Sequence, residues 1–263
     1  MPDGNIRKIV IIGAGRLAAS LGIMLKEHNF EILQVCNRTA LHGQKLAKQT
    51  GAEYIREPEQ ITPLADLYIL SVSDDALPGI LTRMNIGNRL LVHTSGPVSM
   101  HLLDAVSQNT GVIYPLYSFS GKGKPDFGKI PVCLEAGTGQ NLERISEFVS
   151  NFCNRIYNLS SDDRMRIHLA AVFANNFPNF MIAVADEILA GANICPEIIQ
   201  PLIRQTTRTM LRKNPFQYQT GPASRNDVNV MEKHLQLLKT HPDYEEIYRQ
   251  VSAGILNMKK KHD

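Results

Sequence analysis

The chain has 263 residues, of which 43% are hydrophobic and 20% charged, enough apolar surface to exclude a disordered protein and to allow one large domain or two modest ones. Lys and Arg number 28 against 25 Asp and Glu, and a net charge of +3 spread along the chain excludes the concentrated footprint of a nucleic-acid binder. The one basic run, Lys259-Lys260-Lys261, reads as a solvated terminus.

In chain order, short apolar runs at Lys8 to Ile12, Glu31 to Cys36, Leu67 to Val72, Arg89 to His93, Gly111 to Tyr114 and Ile130 to Glu135 predict strands. Leu17 to His28, Leu41 to Gln49, Asp75 to Arg83, Met100 to Ser107 and Leu142 to Asn151 carry helical spacing between them. Strands alternating with helices predict an α/β fold, a Rossmann-type doubly wound and mostly parallel sheet over residues 1–158. After Ile156 no further strand is expected, and an all-helical domain takes residues 159–263 for substrate binding or dimerisation. Ser160 and Asp163 have capping-box spacing, so a long helix should start there and run through Leu189, kinked near Ala174 by Pro178. The apolar stretch Leu169 to Ile194 contains Asn175, Asn176, Pro178, Asn179, Asp186 and Glu187, which predicts a buried helix and no membrane span. Met1-Pro2-Asp3-Gly4 has no signal-peptide pattern, and Cys36, Cys133, Cys153 and Cys195 lie too far apart for a metal site, so a reduced, cytoplasmic setting is expected.

Chemistry enters first where β-branched residues run into Gly13-Ala14-Gly15-Arg16-Leu17-Ala18. Gly13 permits a tight turn, Gly15 lets a pyrophosphate approach the backbone, and Ala18 lets helix pack closely on strand. The helix N-terminus then offers N–H groups and a positive dipole end to phosphates. An NAD-binding chain would carry an Asp or Glu at the end of the second strand, yet no acidic residue occurs from Ile32 to Thr50. Asn37-Arg38-Thr39 stands there instead, with a guanidinium suited to a 2′-phosphate and two hydrogen-bonding neighbours, and this favours NADP(H). Ser71, Val72 and Ser73 close the next strand and should line the cofactor cleft, whereas Asp74 reads first as a helix cap. His93-Thr94-Ser95-Gly96 closes the one after, placing a titratable ring and two hydroxyls near the expected nicotinamide position.

These pieces, with Tyr114-Pro115-Leu116-Tyr117-Ser118-Phe119, His168 to Phe177 and Thr220-Gly221-Pro222-Ala223-Ser224-Arg225, resemble a family of NADP oxidoreductases. That family is related to pyrroline-carboxylate reductase and deazaflavin-dependent NADP reductase and carries a helical C-terminal domain of unknown function. The resemblance covers essentially the whole chain and implies NADP(H) as cofactor. The chain departs from it in having Tyr114 where members often have His. It also lacks the Lys that the broader dehydrogenase superfamily commonly places on the first long helix.

That helix offers His168 instead, with Asn175, Asn176 and Asn179 sharing one broad face on a uniform 3.6-residue repeat. Either these groups face a ligand, or His168 is a satisfied core histidine and the amides brace the kink. The catalytic candidates are therefore His168 or His93 as acid/base, since an imidazole titrates near neutral pH, with Asn176 and Ser95 positioning a small carbonyl or imine substrate between the domains. Thr220 and Arg225 are candidate substrate-binding residues, although Arg225 and Asp227 equally read as braces of the turn. Lys122, Lys124 and Lys129 read as a solvated loop, or as a lid. The competing functional class is a non-catalytic NADP(H) sensor or partner-binding module. A homodimer is expected from the apolar helices left over by a modest domain.

Overall fold

A computed structural model describes residues 5–120, 123–211 and 214–262, and Lys122 lies outside them. The chain divides into two compact units, Met1–Val172 and Phe173–Asp263.

In the first unit the elements are β1 (Lys8–Ile12), α1 (Arg16–Glu27), β2 (Glu31–Cys36), α2 (Ala40–Thr50), β3 (Glu53–Ile55), β4 (Leu67–Leu70), α3 (Leu77–Leu81), β5 (Leu90–His93), β6 (Thr110–Pro115), β7 (Val132–Ala136), α4 (Gly139–Ser150), β8 (Ile156–Asn158) and α5 (Ser161–Ala171). The eight strands form one sheet in the order β3-β2-β1-β4-β5-β6-β7-β8. Every neighbouring pair is parallel except β6 and β7. Strand order reverses at β1 and β4, the switch point where such sheets open a ligand crevice beyond their carboxyl ends.

Both sheet faces are covered, which is why the strands read as continuous apolar runs. Side chains alternate, so Ile9 and Ile11 of β1 enter one core with Leu21, Leu25 and Ile145, while Val10 and Ile12 enter the other with Tyr68, Leu77 and Leu81. Ile9, Val10, Ile11 and Ile12 are each at most 1% exposed, and burying each side chain contributes roughly 1.5–3 kcal/mol.

Two strands were not foreseen. β3 and β8 are three residues long, below the length at which alternation is visible, and β8 overturns the expectation that no strand follows Ile156. The helix expected at Met100 to Ser107 is a 3-10 helix, Met100–Ala105, with Ser99 capping it by accepting from His101 N–H. The first unit also continues past residue 158 because α5 stays with it.

The second unit begins within a π-helical turn, Val172–Asn176, and continues with α6 (Phe177–Gly191), α7 (Gln200–Met210), α8 (Pro222–Arg225), α9 (Val228–Leu237) and α10 (Pro242–His262), with short 3-10 turns. Pro178 lacks the N–H that would reach Ala174, and the π turn absorbs that missing bond at the place where a kink was expected. The turn also breaks the uniform repeat on which the shared face of His168, Asn175, Asn176 and Asn179 depends. Nor is the Leu169 to Ile194 stretch buried: Leu169, Phe173 and Phe177 are 56%, 63% and 45% exposed. Helical periodicity identifies an apolar face, but it does not say that the same chain covers it. By length and composition Ser161–Gly191 would suffice to cross a membrane, a property it shares with core helices of soluble proteins.

Candidate active site

At the carboxyl ends of β1, β2, β4 and β5 the first unit forms a cleft of about 920 Å³, near the upper end of the roughly 300–1,000 Å³ range of ligand pockets. Its floor is the turn from β1 into α1. Gly13 has φ +113°, and a β-carbon there would lie 2.1 Å from the Ser71 carbonyl oxygen, so no other residue fits without moving β4's end. Gly13 N–H donates to the Cys36 carbonyl at 2.8 Å and Ser71 N–H to the Ile12 carbonyl at 2.7 Å, which ties the ends of β1, β2 and β4 together.

Gly15 is the N-cap of α1, and a β-carbon there would meet nothing within 4 Å. A side chain would stand in the space an incoming phosphate needs. No side chain caps α1 and no acidic residue occupies its first turn, so its first N–H groups and dipole end face the cleft unopposed. Ala18 is fully buried beneath. The cradle fits a pyrophosphate.

Asn37, Arg38 and Thr39 line the same cleft. The Asn37 side chain donates to the Thr39 carbonyl at 2.7 Å, and the Tyr54 hydroxyl donates to the Asn37 carbonyl at 3.1 Å, which fixes this loop. Arg38 is exposed and has no hydrogen-bond or ion-pair partner among the described residues. Arg83 lines this end too, but its guanidinium is held by Glu59 and Glu57 at 2.7 Å each. Cys36, at the cleft's edge, has its thiol pushed up to about 11 by burial first and by Glu57 second, and so remains a thiol. Ser71, Val72 and Ser73 line the same cleft. Asp74 does not cap; Ser73 occupies the cap position and Asp74 begins a short 3-10 helix.

Thr94, Ser95 and Gly96 bring β5's end into the cleft, and His168 enters from α5. His93 does not reach it. Its ring is 0% exposed, Nδ1 accepts the Ser95 N–H at 3.1 Å, and Nε2 has no well-formed hydrogen bond among the described residues. Burial first, and the nearby Arg164 cation second, push His93 down to about 4; the Ser99 backbone offsets only part of this. The ring is therefore neutral and shut away from the cleft, which corrects its assignment as a proton donor: a strand's last residue points into a core when both sheet faces are covered.

His168 is half-buried, and its Nδ1 lies 3.2 Å from the Tyr114 hydroxyl of β6. Both rings press on Gly96, where a β-carbon would sit 2.8 Å from His168 Nδ1 and 2.9 Å from Tyr114 Cζ. Asn176, Thr220 and Arg225 belong to the second unit, are exposed, and are absent from the described cleft lining. Asp227 accepts from Val230 N–H as the cap of α9, so it braces the turn, while Arg225 has no partner among the described residues. Lys124 and Lys129 make surface ion pairs with Glu27 and Asp126.

A family model of a domain of unknown function (DUF2520) matches residues 130–255, and the model of shikimate/quinate 5-dehydrogenase matches residues 2–90. No curated protein matches the chain. Among solved structures, a Bacteroides fragilis protein described as an NADP oxidoreductase is 36% identical over 96% of this chain and 99% of its own, with a TM-score of 0.88. The chain belongs to that oxidoreductase family. A Thermotoga maritima protein, 20% identical over 97% of this chain and 99% of its own with a TM-score of 0.69, shares the fold. So does an imine reductase from Myxococcus stipitatus solved with NADP+, 17% identical over 97% of this chain and 93% of its own with a TM-score of 0.61.

In this oxidoreductase chain the residue missed from sequence is Arg164, on α5 and 1% exposed. Its guanidinium donates to the Ser95 and Gly96 carbonyls at 3.2 and 3.1 Å, to the Val98 carbonyl, and to Glu135 of β7. Ser161, one turn earlier, donates its N–H and hydroxyl to the same carboxylate. Ser161, Arg164 and His168 stand at i, i+3 and i+7 on one face of α5. The signal was available: the polar face of His168 runs toward the N-terminus, whereas a search toward Asn175 follows it the wrong way.

Proposed function

We propose that the chain binds NADP(H) and transfers a hydride between the nicotinamide and a small carbonyl or imine compound. One observation carries this: the open Gly15 cradle, the exposed Arg38 and the imidazole of His168 all line a single cleft. The first α1 N–H groups, with Gly13 to Leu17, hold the pyrophosphate, while Arg38 with Asn37 and Thr39 takes the 2′-phosphate. NADP(H), when bound, supplies the hydride chemistry. At the cleft's other end Ser95 orients the substrate and His168 gives or takes a proton at Nε2, the ring atom not engaged by Tyr114. The family's printed activity and the resemblance to pyrroline-carboxylate reductase support this reading.

Calorimetric titration with NADPH and NADH tests it. Wild type binds NADPH more tightly, and Arg38→Ala weakens NADPH by about 10- to 100-fold, the loss of a charge-assisted pair, while leaving NADH within twofold. Equal losses for both dinucleotides would remove Arg38 from the phosphate site. NADPH that binds but is not oxidised by any of a panel of 2-oxo acids, ketones and cyclic imines would favour the sensor reading.

We also infer that the second unit forms a homodimer, because its apolar side chains, among them Phe180, Ile198 and Leu202, are 45%, 69% and 61% exposed. The free thiols of Cys36, Cys133, Cys153 and Cys195 fit a cytoplasmic protein. A monomer at micromolar concentration in sedimentation equilibrium would end the dimer proposal.

A further inference from the structure

Sequence places Tyr114 at the end of β6 and His168 on α5, 54 residues apart, and nothing in either local pattern links them. The sheet brings them together. Tyr114 pairs in register with Cys133 of β7, so its side chain emerges where α5 crosses above Gly96. Gly96, lacking a β-carbon, lets both rings close on its backbone, and Arg164 holds that backbone from the other side through the Ser95 and Gly96 carbonyls. The rings meet edge to face, with centroids 6.2 Å apart and planes at 62°. His168 Nδ1 is the only partner of the Tyr114 hydroxyl among the described residues.

We propose that Tyr114 is a positioning residue: its hydroxyl holds His168 by Nδ1, so that Nε2 is the nitrogen presented to substrate in the cleft. This rests on the reading of His168 as the proton donor. In the reductive direction the hydride adds to the substrate carbon, the proton on Nε2 of the protonated ring passes to the substrate oxygen or nitrogen, and Nδ1 keeps its own proton, donated to the Tyr114 oxygen. The ring ends neutral and takes its next proton at Nε2 from solvent. Burial first, and Cys133 second, hold the Tyr114 phenol above its ordinary range despite the nearby Arg164, so the phenol does not ionise. It anchors the ring and does not itself surrender the proton. The hydroxyl oxygen accepts from Nδ1–H in the charged ring and in the neutral Nδ1–H tautomer alike, and so keeps the contact in both protonation states of His168.

The test is NMR of the full chain with 15N-labelled histidine, without cofactor, at a pH where His168 is protonated. The wild type shows a slowly exchanging, downfield Nδ1 proton on His168. Tyr114→Phe loses it and shifts the Nδ1 resonance, while the Kd for NADPH stays within twofold. Gly96→Ala, which wedges a methyl between the rings, loses the same signal by an independent route. On any carbonyl or imine compound that the enzyme turns over, Tyr114→Phe lowers kcat by about 10- to 100-fold, the effect of a misplaced reacting group, with KM little changed. Unaltered His168 resonances in Tyr114→Phe would overturn the inference and leave the proton-donor reading intact. Full turnover by His168→Gln would instead overturn that reading, and with it the role given to Tyr114.

Discussion

The two units handle apolar surface in opposite ways. In the first, both faces of the sheet are sealed, and even the charged Arg164 is 1% exposed, with its guanidinium bonded to Glu135 and to the Ser95, Gly96 and Val98 carbonyls. In the second, only Ala223 and Leu238 among the described hydrophobic residues are buried, at 6% and 7% exposed, and large side chains stand in the open on α6 and α7. A unit that satisfies its own groups can hold a site to tenths of an ångström. A unit that does not leaves an apolar face open, and that open face is the ground on which the homodimer is proposed.

The contrast is sharpest at Arg164. Replacing it with Gln leaves Glu135 and the Ser95, Gly96 and Val98 carbonyls short of partners, and breaking a buried pair of this kind costs about 3–5 kcal/mol. Urea unfolding reads it directly, and a loss below about 1 kcal/mol would show that the first unit is not knitted through this side chain.

Next in size is a pH effect from His93. With the folded ring held to about 4 and the unfolded one at about 6.5, the unfolded chain takes up a proton that the folded chain refuses. Stability should therefore fall as pH drops from 6.5 to 4 and level off below, by up to about 3 kcal/mol from this ring. In His93→Asn the amide oxygen can still accept from Ser95 N–H, so that component disappears. Parallel loss of stability in wild type and variant between pH 7 and 4.5 would count against a buried neutral ring.

Leu202→Glu, on α7 of the second unit, should do least to the fold of a single chain. At 61% exposure its side chain supports little core, and the expected change in monomer stability is within about 0.5 kcal/mol. The measured mass in solution should nonetheless fall from dimer to monomer. A large destabilisation with unchanged mass would mean that the second unit has an internal core after all.

Local pattern was enough to place β1, β2 and the turn between β1 and α1, because strand propensity, glycine spacing and helix entry all point the same way over a dozen residues. β3 and β8 fell below the length at which a period can be seen. The glycine-turn end of the cleft was legible for the same local reason, since Gly13 to Leu17 and Asn37 to Thr39, which line it, each lie within a single turn. The His168 end was not. His93 looked available at a strand's end and is sealed; Asn176 looked aligned with His168 until a π turn broke the repeat.

Sequence alone thus determined the doubly wound sheet, the glycine turn from β1 into α1, the lack of an acidic residue after β2, and a helix starting at Ser160, all consequences of neighbours in the chain. Only tertiary structure decided which polar groups meet: Tyr114 with His168, Arg164 with Glu135 and the Gly96 loop. Those pairs form across strands and helices tens of residues apart, and burial, which decides whether a histidine is a proton donor or a sealed core ring, is a property of everything packed around it.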